Sequence, residues 1–123
     1  DHLGRDVFSR LLSGAGVTLA VALGGAALAL AVGAGLGILA SAAGRWTEAT
    51  AFAALDTLRG LPPILLALVT VAAMGGGTAP LVLALGASYA PTFAHVARVA
   101  WQREAAAEYV TAAVVAGASP ARV

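Results

Sequence analysis

The stretch LLSGAGVTLAVALGGAALALAVGAGLGILASAAG, residues 11–44, runs for 34 positions without a charged side chain. A second run, GLPPILLALVTVAAMGGGTAPLVLALGASYAPTFA, residues 60–94, adds 35 more. A helix crosses the hydrocarbon core of a bilayer with about 20 apolar residues, so each run is long enough to span. The 123-residue chain as a whole agrees, being 60% hydrophobic and only 11% charged. Soluble domains carry about a quarter charged residues, and a chain with so few cannot cover a globule with polar surface. The composition therefore defines an all-α, polytopic membrane helical bundle.

Other classes fall away quickly. Seven arginines against six acids leave a net charge of +1, and nothing points to nucleic acid. The absence of cysteine excludes disulfides, thiolate chemistry and cysteine-ligated metals. The first apolar run is too long for the core of a signal peptide. The sequence starts at Asp1 rather than Met, and it is read as a fragment of a longer polypeptide.

Polar punctuation divides the chain into three spans. Residues 1–15 form an outer amphipathic lead-in, with Val7, Phe8, Leu11 and Leu12 opposite Arg5, Asp6, Ser9 and Arg10. The first span is expected at residues 16–40, where Gly33 and Gly37 make a small-xxx-small face for helix packing. A chain so rich in alanine and glycine also produces such spacings by chance. Residues 44–48 read as a polar turn, with Trp46 suited to headgroup depth. A second span over residues 49–74 is expected to kink at Pro62 and Pro63, since each lacks an N–H. Gly75, Gly76 and Gly77 make a hairpin turn, and a third span follows over residues 80–99, kinked at Pro91. Residues 101–123 form the tail.

Three spans put the chain ends on opposite sides. Arg45, Arg59, Arg98, Arg103 and Arg122 fall on the tail side, against Arg5 and Arg10 on the other. The positive-inside rule then makes the tail cytoplasmic and the N-terminal end external.

The tail has its own punctuation. Residues 101–115 suit one helix, and Tyr109, Ala112, Ala113 and Ala116 line one side of it. Gly117 is placed as a left-handed helix stop, and Ser119 and Pro120 as the cap and first residue of a new helix. The unit reads either as a docking helix–turn–helix or as a solvated terminal helix. Asp56 and Arg59, one turn apart, are close enough to pair; they suit a pathway or subunit contact, or an interfacial pair reaching the headgroups. Ser88, Thr92 and His95 recur at helical spacing on the third span. They either line a translocation path or bond a neighbouring helix or backbone carbonyl. His2 and His95 are too distant in this topology to share a metal. No Ser/His/Asp set, carboxylate pair or P-loop is present, so no catalytic residue, metal site or bound cofactor is assigned.

The tail segment EYVTAAVVAGAS, residues 108–119, resembles the EAA loop of permease subunits of ABC importers. The likeness is greatest to the dipeptide, oligopeptide and nickel branch of this binding-protein-dependent family. LGRDVFSRLL, residues 3–12, resembles that branch's segment before its second span, and the pair Leu61-Pro62 in the next helix supports the same likeness. The resemblance covers essentially the whole chain. It implies a non-enzymatic permease in a bacterial or archaeal inner membrane that moves peptides, nickel or another small solute by alternating access. It also implies partners: a second permease subunit (identical or different), cytoplasmic subunits that bind the ATP, an extracytoplasmic solute-binding protein and the lipid bilayer. Carried over by position, Glu108, Ala112, Ala113 and Gly117 are the motif residues, flanked by Tyr109, Ala118 and Ser119. They would form a coupling helix that docks into a cleft of the ATPase. Three departures stand out: Gly16 where a basic residue is common, Pro91 where proline is usually lacking, and an end before the Ile-x-Leu-Pro part of the motif. The rival expectation is a self-associating membrane scaffold or small channel with no ATPase partner. An intramembrane enzyme is a further rival, disfavoured by the missing catalytic set.

Overall fold

A computed structural model describes residues 6–119, and within them the chain forms five helices. They are α1 (Val7–Ala42), α2 (Arg45–Arg59), α3 (Pro63–Met74), α4 (Thr78–Ala105) and α5 (Glu108–Val115). Arg5, Arg122, His2 and the helix start expected at Pro120 lie outside the described residues.

Helix α1 is continuous through the expected lead-in. Asp6 caps it, its Oδ1 accepting from the N–H groups of Phe8 at 3.0 Å and Ser9 at 3.2 Å. Two of the orphan donors of the first turn are thereby satisfied, which fixes the helix start at Val7, ahead of the expected span. Its 36 residues extend about 54 Å at 1.5 Å per residue. A hydrocarbon core of about 30 Å cannot contain that length. Part of α1 therefore projects past it.

Helices α1 and α4 form the centre of the molecule. Gly25, Ala29, Gly33, Gly37 and Ala40 of α1 are buried against Ala84, Gly86, Ala90, Pro91 and Ala94 of α4. The register rises together along both helices. A Cβ on Gly25 would meet Leu85 Cβ at 2.7 Å, one on Gly33 would run into the Ala90 carbonyl, and one on Gly37 would strike Ala94. The two helices are thus parallel. A chain that crosses the membrane with α1, and again in the same direction with α4, must return between them. The α2–α3 pair is the segment available for that return: taken together its two helices are long and apolar enough for one span, bent at the break between them.

That pair departs from the expected kinked helix. Its two halves meet at 86°. A lone proline kinks a helix, but Pro62 also precedes Pro63, and a residue before proline is pushed out of the helical region. Pro62 accordingly adopts φ −57° and ψ 130°, and Pro63 becomes the first residue of α3. The expected polar turn is also shorter than read, because α2 already begins at Arg45 after a turn at Gly44.

The tail departs too. In place of one helix over residues 101–115, α4 ends at Ala105 and α5 starts at Glu108. The Ala106 N–H bonds the Gln102 carbonyl at 3.2 Å, and the Ala107 N–H bonds that of Glu104 at 3.0 Å. Ala107 then turns extended, with φ −68° and ψ 144°.

Candidate functional site: the polar end of the bundle and its terminal loop

Two groups of residues gather at the end of the bundle where α1 stops and α4 runs on. The first is the α5 loop. Glu108 occupies the first turn of α5, where the helix dipole favours a carboxylate. The Tyr109 hydroxyl donates to Glu104 Oε2 at 2.7 Å and ties α5 back to the end of α4. This carboxylate, as acceptor and as neighbouring charge, holds the Tyr109 phenol above its ordinary titration range.

The far end of α5 closes on itself. Gly117 has φ +86°. Its N–H bonds the Val114 carbonyl at 3.0 Å, and the Ala118 N–H bonds the Ala113 carbonyl at 3.0 Å. These two bonds make a complete Schellman closure, which needs a left-handed residue that glycine adopts without a Cβ penalty. Ala112 and Ser119 are exposed, whereas Ala113 and Ala118 are half-buried. A groove of about 320 Å³ lies between the end of α4 and α5, walled by Trp101, Ala105, Val110 and Val114.

The second group is a polar clamp between α2 and α4. His95 Nε2 lies 2.8 Å from Asp56 Oδ1. Arg98 Nε donates to Glu48 Oε1, and Gln102 Nε2 donates to the same oxygen at 3.1 Å. Between these contacts sits Phe52, which is buried. The His95 ring meets it edge-on at 4.9 Å, and the Arg98 guanidinium lies 4.5 Å from its centroid. Asp56 therefore bonds α4, not its neighbour Arg59 as its spacing suggested.

The remaining candidates separate. Ser88 Oγ donates to the Ala84 carbonyl of its own helix at 2.7 Å, Thr92 is exposed, and His95 belongs to the clamp. They share a face of α4 without converging on one point. Gly33 and Gly37 lie in the α1–α4 contact, away from both groups. Sequence reasoning passed over Glu48, Phe52, Arg98 and Gln102. The signal was two complementary faces: Glu48, Phe52 and Asp56 at four-residue steps, and His95, Arg98 and Gln102 at three and four. Among the described residues no group of three or more His, Cys, Asp or Glu could hold a metal ion.

Two helices long and apolar enough to cross a membrane, packed on small residues, with a bent helix pair between them and a capped loop at the polar end, define a multi-pass helical membrane protein. Residues 33–123 match the family of binding-protein-dependent transport system inner membrane components. The chain belongs to that family, the permeases of ABC importers, and its relatives are peptide and glutathione permeases. It is 34% identical over all 123 residues to the di/tripeptide transport system permease protein DppC of Pseudomonas aeruginosa, covering 41% of that protein. It is 38% identical over 98 residues to the glutathione transport system permease protein GsiD of Pectobacterium atrosepticum, or 80% of this chain and 33% of the relative. The GsiD protein of Salmonella typhimurium is 43% identical over 98 residues, with 80% and 32% covered. The chain thus spans about two-fifths or less of these relatives. No solved structure matches it significantly.

Proposed function

We propose that this chain is the coupling portion of a permease subunit in an ATP-driven importer of short peptides or glutathione. The observation that carries the reading is the α5 loop: a short helix closed at Gly117, set on the end of a spanning helix, inside the family-matched segment. Small side chains at Ala112 and Ala113 let a partner surface approach closely, and a closed loop transmits displacement without bending. A cytoplasmic ATPase would grip α5. ATP binding would draw two such loops together, and the spanning helices would reorient in alternating access.

Orientation follows from charge. Arg45, Arg98 and Arg103 lie toward the α5 end, whereas Arg10 alone among the described arginines lies at the start of α1. This asymmetry supports a cytoplasmic α5 and an external start of α1. A second permease subunit and an external solute-binding protein complete the assembly. The ATP is bound by the ATPase subunits.

The test is reconstitution of the complete permease with its second subunit, ATPases and binding protein in liposomes. Triglycine or glutathione should stimulate ATP hydrolysis and accumulate inside. Hydrolysis indifferent to both would defeat the cargo assignment.

A further inference from the structure

The clamp and the loop share one stretch of α4. His95, Arg98 and Gln102 bind α2, and two residues after Gln102 Glu104 binds Tyr109 of α5. Beneath the polar contacts, Phe52 and Leu55 of α2 join Ala40 of α1 and Ala94 of α4 in a buried cluster. The polar contacts sit at successive levels of the helix pair, with the Phe52 ring wedged between them. One contact would act as a pivot; two with a wedge resist both rotation and sliding. Glu48 and Arg98 are the more sheltered pair, with side chains 17% and 34% exposed, against 55% for Asp56.

The other end of α2 is the opposite case. Pro62 and Pro63 have no N–H to donate, so neither can bond back across the break. Beyond it, α3 lies along α4 through a half-buried face of Leu66, Ala67, Thr70 and Val71, with no fully buried residue and no side-chain hydrogen bond to α4. The stiff polar contacts therefore lie on the α2 side of residues 60–62; at the break Gly60 and Leu61 bond back to Asp56 and Leu58 and the Pro62 carbonyl accepts from Leu65, so the backbone bonds close on each side and none crosses it.

We propose that Glu48 and Arg98 are positioning residues that make α2, the C-terminal half of α4 and α5 one moving body, hinged at the Gly60–Pro62 break. This rests on the reading of α5 as the coupling element. Displacement of α5 passes through Glu104 and α4 to α2 and is absorbed at the break, so α3 shifts relative to the rest.

The test uses spin labels on the assembled transporter, at Thr50→Cys in α2, Val69→Cys in α3 and Thr111→Cys in α5. These positions are exposed, and no native cysteine in this chain competes. Between nucleotide-free and ATP–vanadate-trapped states, the α2–α5 distance should stay within about 2 Å while the α3–α5 distance shifts by more. Arg98→Glu should broaden the α2–α5 distribution, as should the milder Glu48→Gln, and the pair Glu48→Arg with Arg98→Glu should narrow it again. An α2–α5 change as large as the α3–α5 change overturns the proposal, and so does failure of the charge swap to restore the narrow distribution. A label pair between α5 and the ATPase tests the coupling reading separately. No proximity there ends that reading, whereas α2–α5 rigidity is read within this chain alone.

Discussion

Gly33 of α1 lies directly against the carbonyl of Ala90 in α4, the residue before buried Pro91, and Phe93 Cβ closes the same space from the side. Lipid tails are as apolar as leucine, so helices associate in a bilayer through close fit. Gly33→Leu or Gly37→Leu should therefore destabilise by about 1–3 kcal/mol through overpacking. Gly35→Ala, with open space around its Cβ position, should be neutral or stabilise by up to about 1 kcal/mol by removing backbone freedom from the unfolded chain. Thermal unfolding in detergent checks the contrast. Equal melting for Gly33→Leu and Gly35→Ala would refute the packing account.

The two polar contacts of the clamp should differ in strength. Arg98→Ala removes a sheltered ion pair and a cation–π contact, a loss of about 1–2 kcal/mol after discounting for its partial exposure. Asp56→Asn touches a largely exposed carboxylate and should cost less than about 1 kcal/mol. Unfolding by a graded mixture of mild and denaturing detergent ranks them; the reverse order would place the weight of the clamp on His95 and Asp56.

Tyr109 offers a reading that depends on pH. The Glu104 carboxylate accepts its hydrogen bond and repels its phenolate, so the phenol titrates above its ordinary value. The neutral form is the one favoured in the folded chain. The contact is accordingly whole below about pH 10, the unperturbed phenol value, and is lost as pH rises through the raised one. The difference in phenolate absorbance between the unaltered protein and Tyr109→Phe reports this group. Glu104→Gln should lower the midpoint, and an unchanged midpoint would mean that the α4–α5 tie does not exist in solution.

Replacing Pro63 by alanine frees residue 62 to become helical, and replacing Pro62 as well returns both missing donors. The double variant should straighten the α2–α3 break, seen as a longer distance between labels at Thr50→Cys and Val69→Cys. The single Pro63→Ala should do so partially. No change would locate the cause of the bend in packing and not in the prolines.

Much of this architecture is legible in the order of residues. Two long uncharged runs announce the spans, and Gly33 and Gly37 mark the close approach. Gly117 stands out as a helix stop because few other residues follow a helix so readily in a left-handed conformation. What escapes is non-local or locally silent. The α4–α5 break falls within Ala105, Ala106 and Ala107, the residue type with the highest helix propensity, so nothing local signals a stop. Each proline by itself predicts only a kink; the break comes from the effect of Pro63 on the residue before it. Local spacing offers Asp56 only Arg59, one turn away; His95, 39 positions on, becomes its neighbour only once α2 and α4 are side by side. Glu48 and Arg98, 50 positions apart, escape for the same reason.

The central claim, that the α5 loop is where an ATPase is engaged, is tested most directly by co-purification. The complete permease carrying Gly117→Val would be isolated with its tagged ATPase alongside the unaltered protein. A β-branched residue is strained at φ +86°, so the Schellman closure should open and the recovered ATPase should fall at least tenfold while the permease itself stays folded. Equal recovery of ATPase with undiminished transport would contradict the account.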